Sequence, residues 1–426
     1  MTPPDSDLGD DIVQSEVPRH LPSPGALQTV FRAWHRVRKQ FIRERQWNHE
    51  IHHLAKRLRR ELQTQETEWG AAWAGEAVAA EPPPEDIRIT RPLRCLLLPG
   101  DELLDVRCLW HILQGEGCYL KFLGFNSSLG SDEQRRKMAV TESAITQLDK
   151  VCKDSHITRD TFQDIGRNNT QAYRLFRQYG PYDVVNLDLC DSLVPRGQPG
   201  ETEANFSALH QLLLYQIQHQ KTPWIFFATT QVDRSTASQP EINQLAGPTR
   251  RNCDQHATFA RALETIIPAA TFCGAEQAFD ISHLDAGHLV RVFGVVLGKW
   301  LVNVLASASP RCTVKLLTSY RYVIRQDMAV EMLSLGFLVT PHYAPPVDPT
   351  GLSNLQPAAK PFPSELETAL GFVAVANAIR DVDTLLAADP AARDALMYAK
   401  ADLMAAAGYD RDAYLRWVAE GEPEVI

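Results

Sequence analysis

From Arg91 to about residue 345, short apolar runs alternate with longer amphipathic stretches, and this alternation constrains the fold most strongly. The apolar runs have the length and composition of buried strands, and the stretches between them have helical periodicity. Strands that alternate with helices form a mostly parallel sheet, covered on both faces and wound by right-handed crossovers. The pattern therefore predicts an α/β fold with a doubly wound, mostly parallel sheet.

Seven strands are expected in this region. Five precede helices, in the runs RCLLLPG, YLKFLGFN, HITRDTFQDI, YDVVNLDLCDSL and PWIFFATTQV. Two late strands, CTVKLLTSYRYVI and GFLVTPHY, flank a short expected helix, QDMAVEMLSL. Because a late pair breaks the strand–helix rhythm, one antiparallel strand is compatible with this ending.

A long apolar stretch at about residues 286–306 is the richest candidate for a membrane span. Arg291 and Lys299 interrupt it, so we interpret it as a buried helix. Residues 1–20 are polar and acidic and do not resemble a signal peptide. The sequence thus predicts a cytoplasmic protein without a membrane partner, and it leaves the oligomeric state open.

The chain divides into four expected parts. Residues 1–26 are polar and proline-bearing, which is typical of a disordered or loosely docked tail. Residues 27–80 form a basic amphipathic helical segment, and the run EPPPED (81–86) reads as a linker. The sheet domain spans 91–345. Residues 346–426 hold a proline-rich stretch followed by C-terminal helices.

The basic segment is the main candidate for contact with a partner. Residues 31–62 carry ten Lys and Arg against three Glu, whereas the remainder of the chain has a net charge of −16. Interleaved aromatic residues such as Trp34, Phe41 and Trp47 suit a phosphate backbone. Alternatively, the apolar stripe of the segment packs on the sheet domain or on a partner protein. Both interpretations stay open at this point.

Other catalytic and metal motifs are missing from the sequence. The eight cysteines contain no C-x-x-C pair and read as buried thiols, and the histidines lack metal-ligand spacing, so no metal site is assigned. No G-x-S-x-G or Walker-type loop occurs, which disfavours hydrolase and NTPase chemistry.

The stretch LLLPGDELLD places Pro99 and Gly100 at the end of the first expected strand. One interpretation is a strand-to-helix turn that needs a residue tolerant of positive φ. The other is a ligand turn that offers helix N–H groups to an anion. Glu102 either belongs to this ligand turn or caps the first turn of the following helix.

Together with "FLGFN" and "YDVVNLDLCDS", this pattern resembles the class I S-adenosylmethionine-dependent methyltransferase fold. The resemblance implies S-adenosylmethionine as cofactor, held by Pro99, Gly100, Asp101 and Glu102. Asn126 falls where the family often has an acid for the ribose hydroxyls, or else this chain has no equivalent of that acid. The resemblance also implies that Asp164 contacts the adenine amino group, and the alternative is an acid that ends the loop after the third strand. The usual G-x-G of the family is absent, so the cofactor loop is divergent.

The fourth strand resembles the D-P-F-G-S stretch of tRNA guanine dimethyltransferases, with Asp188 in the acid position and Asp191 beyond it. The resemblance implies that these two carboxylates orient a methyl acceptor on nucleic acid or protein during in-line displacement. N-capping by Asp191 is the structural alternative.

A second hypothesis is non-enzymatic. A Rossmann-like domain without G-x-G, flanked by helices, suits a catalytically inactive adaptor or scaffold subunit of a multi-protein complex, such as a bacterial defence or nucleic-acid-processing assembly.

Overall fold

The computed structural model describes residues 27–58, 91–128, 130–189, 191–196, 200–235, 237–267, 284–325, 330–343 and 362–423. The expected tail (1–26), the EPPPED linker (81–86) and the stretch 346–361 lie outside these residues. The strands expected after Arg91 lie within them and form one sheet.

The described residues form one nine-stranded mixed sheet in the order β3-β2-β1-β4-β5-β8-β7-β9, with β6 also paired to β8. The strands are β1 (Leu93–Leu97), β2 (Leu120–Phe125), β3 (His156–Thr158), β4 (Val184–Asp188), β5 (Trp224–Gln231), β6 (Arg311–Leu316), β7 (Tyr320–Arg325), β8 (Val330–His342) and β9 (Arg380–Asp381). Strands β1 to β5 are mutually parallel. Strand β8 runs antiparallel to β5, β6 and β7. The predicted α/β class is confirmed.

The expectation of seven mostly parallel strands is wrong, because the late region builds more sheet than its pattern indicated. The run CTVKLLTSYRYVI supplies two strands, and β9 adds a short pair beside β7. Residues 330–335, expected in a short helix, belong to β8 instead. Strand β8 is long enough to pair with β5 on one side and with both β6 and β7 on the other, and this pairing outweighs local helix propensity.

Helices cover both faces of the sheet. Their bounds are α1 (Val37–Ile42), α2 (Leu104–Gly115), α3 (Asp132–Thr146), α4 (Gln171–Tyr179), α5 (Glu201–His219), α6 (Gln239–Leu245), α7 (Gly247–Gln255), α8 (Ala257–Glu264), α9 (Ala286–Ala306), α10 (Glu365–Asn377), α11 (Val382–Ala388), α12 (Pro390–Ala406) and α13 (Arg411–Ala419).

The sheet separates two apolar cores. Successive residues of β5 face opposite sides, as a strand requires: Phe226 joins the core under α5, α9 and α10, and Phe227 joins the core under α2, α12 and α13. Helix α9 meets the length and hydropathy expected of a membrane span, and most of its residues are buried inside the fold. This burial agrees with its interpretation as a core helix.

Residues 27–58, here called the N-terminal segment, lie on the second core. After a 3-10 turn (Ala33–His35), α1 continues directly into a π-helical stretch (Arg43–Asn48) and then into helical residues 49–58. Seven large apolar residues of the segment are buried against the sheet; they are Phe31, Val37, Phe41, Ile42, Trp47, Ile51 and Leu54. Of the two interpretations of the basic segment, packing of its apolar stripe on the sheet domain therefore describes residues 27–58.

The π-helical stretch places two basic side chains and one aromatic side chain on the same side of the segment. In an α-helix, residues four apart drift by about 40° around the axis, because a turn takes about 3.6 residues. An i→i+5 turn takes more than four residues, so the rotation from Arg43 to Trp47 falls short of a full turn and offsets the drift from Lys39 to Arg43. Lys39, Arg43 and Trp47 are thus all buried on the sheet-facing side of the segment.

A buried glutamine fixes the segment to the antiparallel part of the sheet. Gln46 Nε2 donates to the carbonyl oxygens of Thr318 (2.9 Å) and Ser334 (3.0 Å), and Gln46 Oε1 accepts from Ser334 Oγ (2.6 Å). Because Gln46 is 1% exposed, water cannot replace these bonds in the folded state.

We expect Gln46→Leu to lower the free energy of unfolding by about 1–3 kcal/mol, since it leaves the buried Ser334 carbonyl without this donor. Gln178→Leu, at an exposed position of α4, is the matched control and should stay within about 0.5 kcal/mol of wild type. Urea unfolding followed by far-UV circular dichroism measures both. Equal stability of the two variants would contradict the role given to Gln46.

Candidate functional site

The candidate site lies at the carboxyl ends of β1 and β4, which are neighbours in the sheet. Leu97 of β1 pairs with Asn186 of β4, so the loop that follows β1 and Asp188 at the end of β4 come to the same edge. Open α/β sheets bind ligands at this edge, where the strand order diverges from a central strand. The fold therefore brings the predicted Gly100 loop and Asp188 to one end of the sheet.

The turn after β1 is built differently from the expectation. Gly100 is exposed and does not adopt a left-handed conformation, whereas Leu103 does, at φ 51°. Leu103 N–H donates to the Gly100 carbonyl (3.0 Å), and α2 begins at the next residue. The residue with positive φ in this turn is thus Leu103 and not Gly100, and Leu103 is fully buried and held by packing.

Asp188 is occupied by a lysine of the N-terminal segment. Lys39 Nζ lies 2.5 Å from Asp188 Oδ1 and 3.4 Å from the Tyr322 hydroxyl. The same ammonium lies 5.0 Å from the ring centre of Trp47, within cation–π range. Burial lowers the pKa of Lys39, but the attraction of Asp188, followed by Tyr322, outweighs burial and raises it above its ordinary value. Lys39 therefore stays charged and neutralises the predicted acceptor-orienting acid.

One turn further along, Arg43 Nε donates to Asp105 Oδ1 at 2.7 Å, and both side chains are buried. Arg43 Nη1 and Lys400 Nζ, also buried, have no hydrogen-bond partner among the described residues. Burial, and then the nearby Arg43 guanidinium, lower the pKa of Lys400 well below its ordinary value. The charge of Arg43 is thus balanced by Asp105, and the neighbouring Lys400 favours its neutral form.

Glu102 is bound by residues from both ends of the chain. The Tyr409 hydroxyl donates to Glu102 Oε1 at 2.7 Å, and His35 Nε2 lies 3.7 Å from the same oxygen, beyond hydrogen-bond length. Burial raises the pKa of Glu102, but His35 and Tyr409 outweigh it and lower the pKa to about 2. Burial lowers the pKa of His35 to about 4. At neutral pH Glu102 is therefore a carboxylate held by a phenol beside a neutral imidazole.

We name the set of residues at these strand ends the strand-end cluster, in which all members but the half-buried Asp188 are buried; they are His35, Lys39, Arg43, Glu102, Asp105, Asp188, Lys400 and Tyr409. Its acids come from the sheet domain, and its bases come from the N-terminal segment and α12. Sequence reasoning missed the basic members and Tyr409. The four-residue spacing of Lys39, Arg43 and Trp47 was the available signal.

The remaining predicted residues are held by local contacts. Asn126 Nδ2 donates to the Pro99 carbonyl (3.1 Å) and to Asp101 Oδ1 (3.1 Å), and Asn126 Oδ1 accepts from Ser128 N–H (3.0 Å). This network holds the loop after β1 against the end of β2. Asn126 is 5% exposed, so its amide already has its partners within the fold.

Asp164 and Asp191 lie apart from the strand-end cluster in their contacts. Asp164 accepts from Thr161 N–H (3.2 Å) and Thr161 Oγ1 (2.7 Å) and pairs with Arg167, which caps a 3-10 turn. The Asp191 side chain is exposed, and its carbonyl accepts from Thr230 Oγ1 (3.2 Å). Their roles toward a ligand stay predictions.

Chemically, the strand-end cluster is an internal salt-bridged core. Each of its three carboxylates has a hydrogen-bond donor from the chain itself. No group of three His, Cys, Asp or Glu suited to a metal ion occurs among the described residues.

We expect Tyr409→Phe to lower the free energy of unfolding by about 1–3 kcal/mol at pH 7, because it removes a donor from a buried carboxylate. The folded pKa of Glu102 is depressed to about 2 from 4.5, so its contribution is present above pH 4.5 and fades as the pH falls toward 2. The difference from wild type should shrink over that range. Tyr398→Phe, an exposed control, should show little effect, and a difference that does not depend on pH would contradict the assignment.

Arg43→Met should cost about 3–5 kcal/mol, because it leaves Asp105 as an uncompensated buried charge. Arg43→Met combined with Asp105→Leu should recover a large part of this loss, since neither charge then remains. Thermal and urea unfolding of the two single variants and the double variant measure the coupling. Additive effects would show that the two groups do not act as a pair.

Comparison with known proteins places the chain in one family. No curated protein matches it. A family model described as PP_RS20740-like matches residues 28–419. The match begins in the N-terminal segment and ends in α13, so it includes every element that contributes to the strand-end cluster. The chain therefore belongs to the PP_RS20740-like family.

Proposed function

We propose that this protein is a catalytically inactive Rossmann-like scaffold subunit of a multi-protein complex, in which the N-terminal segment occupies the former ligand cleft. The proposal rests on two ion pairs at the carboxyl ends of the strands. In Lys39–Asp188 the lysine is buried and the Asp188 side chain is 16% exposed, and in Arg43–Asp105 both side chains are buried. A side chain of the protein stands where the methyltransferase resemblance requires cofactor or acceptor.

Energetics favour the scaffold over the enzyme. A ligand that used Asp188 would have to displace Lys39. Removing one partner from a fully buried pair costs about 3–5 kcal/mol, which is an upper bound here because Asp188 is partly exposed. Such a cost lowers the affinity by about two to more than three orders of magnitude. The segment also buries its apolar stripe on the sheet, so it cannot leave without exposing part of the second core.

The surface next to the buried stripe suits a protein partner. Leu27, Val30 and Trp34 are 48%, 52% and 42% exposed, although they belong to the same segment. Large exposed apolar side chains near one another are typical of interaction sites. They support the adaptor role without assigning a partner.

Binding of S-adenosylmethionine, with methyl transfer to nucleic acid or protein, is the second candidate. Its support is the exposed Gly100 at the end of β1, where a Cβ atom would meet nothing closer than Glu102 Oε2 at 3.6 Å. Five parallel strands followed by an antiparallel β8 are also compatible with the strand order on which the resemblance rests.

Calorimetric titration with S-adenosylmethionine distinguishes the two candidates. For the scaffold we expect no binding heat in wild type, in Gly100→Trp or in Lys39→Met, with folding of each sample checked by circular dichroism. Micromolar binding by wild type that is lost in Gly100→Trp and Asp188→Asn would favour the cofactor-binding candidate. Absence of binding would support only the claim that the cleft is inactive. The role in a multi-protein complex therefore needs a separate measurement.

The assembly role is tested by native size. We expect the chain, tagged at its natural abundance, to elute from size-exclusion columns in a complex well above its own 47.7 kDa, and Trp34→Ser to reduce this complex. Tyr398→Ser, which removes an equally exposed aromatic residue of α12, is the control. Elution of wild type as a single chain would contradict the scaffold proposal.

A further inference from the structure

Two adjoining hollows lie at the carboxyl end of β3, outside the strand-end cluster. Their volumes are about 330 Å³ and 400 Å³, and they share Arg135, Ala139 and Arg159 as lining residues. One wall is the exposed side of α3, and the other is the loop that follows β3. We call this joint hollow the arginine groove. None of its lining residues belongs to the strand-end cluster, so inferences about it stand apart from the proposed function.

The guanidinium groups of the groove are only partly compensated. Arg135 pairs with Asp132 and donates to the Gly130 carbonyl at 3.0 Å. Arg136 and Arg159 are exposed and have no ion pair or hydrogen bond from their side chains within the described ranges. Two positive groups from different elements therefore border the same hollow without an internal counterion.

The carboxylates of the groove are already engaged. Glu142 Oε1 accepts from Ile157 N–H (2.8 Å) and lies 2.9 Å from His156 Nδ1, and it thereby ties α3 to β3. Asp160 Oδ2 accepts from Thr158 Oγ1 at 2.6 Å, and the exposed Asp132, the third acid of the groove, pairs with Arg135. These contacts hold the acids at the walls, so the open volume is bordered by the free guanidinium groups.

We propose that the arginine groove binds a phosphate group, carried by a nucleotide or by a nucleic-acid strand. Planar guanidinium groups match the oxygens of phosphate through paired N–H donors, and Arg136 and Arg159 approach the hollow from two elements. The volume is in the range of small-molecule sites. In the N-terminal segment, the first candidate for such contact, Arg36, Lys39 and Arg43 are buried, whereas Arg32, Arg45, Lys56 and Arg57 are exposed.

The test compares Arg136→Gln combined with Arg159→Gln against a control of equal charge, Arg261→Gln combined with Arg393→Gln. All four positions are exposed, so neither double variant should disturb folding. Fluorescence anisotropy with labelled single-stranded DNA and calorimetry with ATP provide the two arms. We expect at least about a tenfold loss of affinity in the groove variant and less than about a twofold change in the control.

The salt dependence and the probe decide the source of the phosphate. If DNA binds, loss of two contacts should reduce the slope of log affinity against log salt by about 1.4. Binding of ATP without DNA would assign a free nucleotide, and the reverse would assign a nucleic-acid strand. Wild type that binds neither probe, or equal losses in both double variants, would overturn the proposal.

Discussion

The ion pair between Lys39 and Asp188 determines where the N-terminal segment lies, and the polar interior depends on that position. A buried ammonium needs a counterion, because an unpaired charge in the interior costs several kcal/mol. A shift of the segment by one residue would separate Lys39 from Asp188 and Arg43 from Asp105 together. Register is thus fixed by charge as well as by the fit of Trp47 against the sheet.

Closure of the strand ends changes what this edge of the sheet can do. In open α/β proteins the carboxyl edge stays accessible, and side chains there are available to ligands. Here the N-terminal segment and the C-terminal helices α12 and α13 cover it, and the acids receive donors from Lys39, Arg43 and Tyr409. Chemistry-bearing residues thereby become parts of a core, which is the physical basis for proposing a scaffold.

Much of the sheet could be predicted from the sequence because its strands are buried and nearly continuous in apolar residues. Strands β2, β3, β4 and β5 lie within the expected runs, β1 begins one residue before its run, and the loop with Gly100 lies at the end of β1 as expected. The late strands could not be placed by pattern. Whether residues 330–335 form a helix or part of β8 is decided by pairing with β5 and β7, which are distant in the chain.

The sequence by itself determined the α/β class, the position of Asp188 at a strand end and the burial of α9, because each follows from local periodicity and strand composition. It also identified Asn126 and Glu102 as polar residues at the same edge. Only the tertiary structure decided what those residues contact. Their partners, among them Lys39 and Tyr409, are contributed by segments far apart in the chain, and no periodicity encodes a contact between residues 102 and 409.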